Sequence, residues 1–110
     1  MTTPVDLTNL REMTGNDAEM EKALFEEFYS SFETGIATLQ KNTTASAANT
    51  WRQEVHALKG IALNLGAIKL GELCKQAQDS FSSDEADKNK MLQHIQAEYA
   101  QVKVFLQGLR

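Results

Sequence analysis

A single proline, Pro4, and six glycines are the strongest backbone breakers in 110 residues. A chain so poor in Pro and Gly has few places to turn, so its elements must be long. Those elements read as helices. Apolar residues recur every three or four positions along most of the chain, and no stretch alternates apolar with polar residues as a half-buried strand would. Hydrophobic residues make up 42% of the sequence, enough to close a core and to argue against disorder. At this length one domain buries roughly 65% of the surface its unfolded chain exposes.

Residues 5–13 place Val5, Leu7, Leu10 and Met13 at the spacing of one helical face, and the Thr-Gly-Asn-Asp run at 14–17 interrupts it. Asn16, with Glu19 three residues on, predicts the start of the next helix, because an Asn side chain can cap free backbone N–H groups. That helix is expected over 17–40. Its stripe is Met20, Leu24, Phe28, Phe32, Ile36 and Leu39, widened by Phe25 and Tyr29. Small polar residues at 42–46 suit a loop and a cap. A third helix is expected over 45–65, where Trp51, Val55, Leu58, Ala62 and Leu65 form the seam of a bundle helix and Gly66 ends it. A fourth, over 68–81, turns Leu70, Leu73, Cys74, Ala77 and Phe81 inward. Ser82-Ser-Asp-Glu85 reads as a turn leading into a capping box. The last helix, over 84–108, carries Leu92, Ile95, Tyr99, Val102, Leu106 and Leu109. The expected fold is all-α: an up-down antiparallel four-helix bundle, with a short additional N-terminal helix covering one end, as one domain over residues 1–110.

Charge and cysteine content narrow the function. A formal net charge of −4 argues against nucleic acid, whose phosphates must be neutralised by Lys and Arg. The lone Cys74 cannot form an internal disulfide. No apolar run approaches the ~20 residues of a membrane span. The Met1-Thr-Thr-Pro4 start lacks the basic and apolar regions of a secretory signal. A cytoplasmic location is therefore expected.

A bundle says nothing of function by itself, so the informative residues are those its packing does not explain. Each residue of a helix advances ~100°. With Val55 at zero, the third-helix seam falls between about 280° and 360°, whereas His56 falls near 100°, Lys59 near 40°, Leu63 near 80° and Gly60 near 140°. His56, Lys59 and Gly60 stand at i, i+3 and i+4 and are neighbours on the helix surface. Glycine inside a helix costs roughly 1 kcal/mol relative to alanine. One reason to keep it is close approach by another helix or another protein. A cation one turn from an exposed imidazole would attract a phosphoryl group placed on that ring.

The stretch His56-Ala-Leu-Lys59-Gly60-Ile-Ala-Leu-Asn-Leu-Gly66-Ala67, followed by Leu70, Leu73 and Cys74, resembles the signature of histidine-containing phosphotransfer (HPt) domains of two-component phosphorelays. The resemblance extends over almost the whole chain. It implies that His56 is the phosphoacceptor, that Lys59 sits beside the phosphoryl group and that Gly60 leaves room for a partner. Gln78, twenty-two positions after His56, falls where the family places a Gln or Glu that orients the imidazole. Ile61 departs from the small residue often found after the glycine. The implied partners are receiver domains of hybrid sensor kinases and response regulators, docking around Gly60, Leu63 and Asn64 with Phe25 or Tyr29 at the edge. The implied Mg²⁺ belongs to the receiver. No cofactor is expected in this chain, which is expected to act as a monomer. No P-loop or Gly-rich kinase loop is present, so self-phosphorylation from ATP is not expected.

Two other readings stand beside this one. A helical adaptor without catalytic chemistry would explain the bundle and the acidic surface but not the clustering of His, Lys and Gly; a buried, satisfied His56 would favour it. A metal site is disfavoured, because no His, Cys or acidic residue stands four positions after His56. His94, off its seam and without a motif, reads as a surface residue.

Overall fold

The computed structural model describes residues 3–109. Among them are five α-helices: α1 (Thr8–Thr14), α2 (Ala18–Gln40), α3 (Ala48–Leu65), α4 (Ile68–Asp79) and α5 (Glu85–Gln107). There is no strand among the described residues. Helices α2 to α5 form the expected up-down antiparallel bundle. The short α1 and the segment before it close one end: Val5, Leu7 and Leu10 are buried, and the Asp6 N–H donates to the Gly66 carbonyl at 2.9 Å.

The helix ends fall where local chemistry puts them, and several differ from expectation. Asp17, not Asn16, caps α2, accepting from the N–H groups of Glu19 (3.0 Å) and Met20 (3.1 Å). Asn16 instead takes a left-handed turn at φ 62°, which Asn tolerates better than most residues. Residues Ala45–Ala47 form a 3₁₀ turn, so α3 begins only at Ala48. Helix α4 stops at Asp79, short of Phe81. Asp84 caps α5 by accepting from the Asp87 N–H at 2.8 Å, and among the described residues only this forward bond of the expected capping box forms. Gly66 ends α3 at φ 99°, as its position predicts.

The seam of α3 is the centre of the core. Trp51, Val55, Leu58 and Ala62 are fully buried, in one core cluster with Phe32, Leu39, Leu70, Ala77, Ile95 and Val102. On α2 the core face is Phe25, Phe28, Phe32, Ile36 and Leu39, whereas Met20 and Leu24 are exposed. Spacing by four residues explains the difference. Each step of four overshoots a full turn by about 40°, so a strict i, i+4 stripe walks round the helix and its first members leave the core. Met13 and Leu109 likewise face outward at helix ends. Leu73 and Phe81 are half-buried at the edge of the core.

Two glycines let α3 approach both neighbours. A Cβ on Gly35 of α2 would lie 2.5 Å from Leu58 Cδ2 and 2.8 Å from Glu54 Oε1, and one on Gly71 of α4 would collide with the Leu63 side chain. Across the bundle, Phe32 stacks on Tyr99 with centroids 4.9 Å apart, and both Tyr99 and Lys103 donate to the Glu33 carboxylate. The Lys103 bond, then the Tyr99 bond, hold the Glu33 carboxyl below its ordinary pKa.

One buried group is a cost to the fold. Lys88 is fully buried, its Nζ has no hydrogen-bond partner among the described residues, and the Trp51 ring centroid lies 5.6 Å away. A cation–π contact offsets only part of the loss of hydration. Lys88→Met, similar in shape and without the charge, is expected to raise stability by about 1 kcal/mol, read from the denaturant midpoint. A lower midpoint would show that the Trp51 face serves the ammonium better than water does.

Candidate functional site

The site is built where α3 meets α4. The Trp51 indole N–H donates to the Ala77 carbonyl at 2.9 Å in the buried interior and fixes the register of the two helices. Ala77 is buried, and the next residue, Gln78, reaches the surface beside α3. There its Oε1 lies 3.3 Å from Nδ1 of His56. An amide oxygen can only accept, so this bond requires the proton on Nδ1, and in the neutral imidazole the free lone pair is then on Nε2. The imidazole is exposed rather than packed. It opens onto a cleft of about 550 Å³ lined by Arg52, Gln53, His56, Gln78, Asp79 and Phe81.

Lys59 is half-buried one turn after His56 and makes no ion pair among the described residues. Its charge is thus unpaired among those residues. Gly60 accommodates no neighbour among the described residues: a Cβ built there meets none of their atoms within 4 Å, in contrast to Gly35 and Gly71. The open space at Gly60 lies outside the bundle.

The expected docking residues do not share the histidine's cleft. Asn64 lines a separate apolar groove of about 300 Å³ between α1, α2 and α3, with Leu10, Met13, Leu24, Phe28 and Ile61. Leu63 is exposed, against Gly71 of α4. The outward-turned Met13 and Leu24 therefore belong to one surface with Ile61 and Asn64. Phe25 is buried and does not reach it. Tyr29 is half-buried, with the Lys103 ammonium 5.2 Å from its ring centroid on the α5 side. His94 is exposed on α5, as expected of a surface residue. Cys74 is buried, and burial pushes its thiol up to about 12, so it stays protonated and unreactive. Among the described residues no group of three or more His, Cys, Asp or Glu is placed to hold a metal ion, and no helix is long and apolar enough to cross a membrane.

Arg52, Asp79 and Phe81 are members of the cleft that the signature beginning at His56 does not pick out. The signal for Arg52 was present: four residues before His56, it falls near 60° on the same helical wheel.

Fold and site together define a helical bundle that presents one exposed, oriented histidine beside a cation with no ion pair among the described residues. A family model, Hpt domain, matches residues 23–105, and the chain belongs to that family. Hpt domains are phosphocarriers rather than kinases and serve histidine phosphotransfer in the phosphorelays of two-component signalling. No curated protein and no solved structure matched the chain.

Proposed function

We propose that this chain, acting as a monomeric single domain, takes a phosphoryl group on His56 from the aspartyl phosphate of one receiver domain and passes it to the aspartate of another. The observation that carries this reading is the bond between His56 Nδ1 and Gln78 Oε1 on an exposed ring. In this reading Nε2 of the neutral ring is the nucleophile. The Nε2 lone pair attacks phosphorus in line, the bond from phosphorus to the aspartyl oxygen breaks, and the carboxylate leaves with that electron pair. Nδ1 keeps its proton throughout, and the positive charge gained by the ring is shared with an amide acceptor. The reverse sequence hands the group on. Lys59 draws the phosphoryl oxygens by charge. The groove beside Asn64, apolar with a polar rim, has the character of a small transient interface. The Mg²⁺ that supports the aspartyl chemistry belongs to the receiver domain, and no residue of this chain is assigned to it.

The exposed ring also separates this reading from the adaptor reading, which has no use for an oriented surface imidazole. The test is stopped-flow transfer from a receiver domain charged with acetyl phosphate. Lys59→Ala is expected to slow transfer about tenfold, with an unchanged circular dichroism spectrum. Equal rates in the two proteins would remove Lys59 from the chemistry.

A further inference from the structure

His56 stands between two cations on its own helix. Lys59 lies about 4.5 Å further along the axis, and Arg52 lies about 6 Å before it. On the helical wheel both fall within about 60° of the histidine. Arg52 also lines the cleft into which His56 and Gln78 open. Its guanidinium carbon is 5.1 Å from the centroid of the Phe81 ring, which holds this long side chain over the cleft. Asp79 lines the same cleft, yet no carboxylate among the described residues is within ion-pairing distance of Arg52. A cation held by an aromatic face and left without a counter-ion is placed to receive one.

We infer that Arg52 is a phosphoryl-binding residue of this site, leaving the Phe81 face to pair with the oxygens of phosphorylated His56. The inference rests on the phosphotransfer reading. A phosphoryl group on Nε2 carries two negative charges at full ionisation, and a guanidinium offers paired donors that match its oxygens. Lys59, a point charge, neutralises from one side; Arg52 fixes the orientation from the other.

The test uses the full chain and a phosphorylated receiver domain, with wild type, Arg52→Ala and Arg52→Lys compared. Two quantities are read: the transfer equilibrium, and the pH titration of the phosphohistidine ³¹P resonance. Arg52→Ala is expected to shift the equilibrium about tenfold towards the receiver and to raise the pH at which the phosphoryl group gains its proton. Arg52→Lys is expected to restore part of both effects, because it keeps the charge and loses the fork. A role for Arg52 confined to packing on Phe81 would leave the ³¹P titration unmoved. Labelled proteins with identical titrations and equilibria overturn the inference and leave the phosphotransfer reading intact. A wild type that takes no label overturns that reading, and this inference with it.

Discussion

Replacing Gly60 by glutamine is expected to lower phosphotransfer about 100-fold without lowering the thermal midpoint. Gly60 lies inside α3 at ordinary helical φ, and a Cβ there touches nothing among the described residues. The fold therefore gains nothing from its missing side chain and loses the helix propensity that alanine would supply. Gly60→Ala is expected to raise stability by roughly 0.5–1 kcal/mol. The larger glutamine keeps most of that gain but fills space one turn from His56. In-line attack needs the reacting atoms about 3–3.5 Å apart, and displacement by about 1 Å can cost ~100-fold in rate. Stability and transfer are thus expected to move in opposite directions. A Gly60→Gln protein that transfers at the wild-type rate would show that the partner does not approach this surface.

Gly66→Ala is expected to be the most damaging single-methyl change to the fold, at about 3 kcal/mol or more. Two effects combine. The residue sits at φ 99°, where an L side chain is strained, and a Cβ there would run into the Asp6 carbonyl oxygen. The same contact holds the N-terminal segment through the Asp6–Gly66 bond. Relief would require that segment to lift from the bundle end, exposing Val5 and Leu7. A chain of this size should lose on the order of 10 °C in thermal midpoint. Loss below about 1 kcal/mol would mean that the segment shifts without consequence and contributes little to closing the core.

The two glycines show what a sequence makes legible. Gly66 was readable because it follows a complete apolar seam, and Gly60 because it interrupts a helix beside His56. Gly35 and Gly71 were not, because the groups they accommodate, Leu58 and Leu63, come from other helices. The five helices were legible from periodicity. Their ends were less so, since Asn16 and Asp17 are both good caps and only the backbone turn at Asn16 decides between them. The inward face of α2 was half legible: spacing by four identified the stripe but hid its drift, which carries Met20 and Leu24 out of the core. Within the site, residues on α3 could be grouped from the sequence by their angles alone. Gln78 could be reached only through the family resemblance, because its position beside His56 depends on the α3–α4 register that the Trp51–Ala77 bond sets.

The most direct measurement is the fate and location of the phosphoryl label. Wild type and His56→Gln are incubated with a receiver domain carrying radiolabelled aspartyl phosphate, then treated with acid or base. The expected result is label on the wild type that is lost in acid and kept in base, and none on His56→Gln. Label that persists on His56→Gln, or a wild type that remains unlabelled beside a fully charged receiver, would contradict the assignment of His56 as the phosphoacceptor.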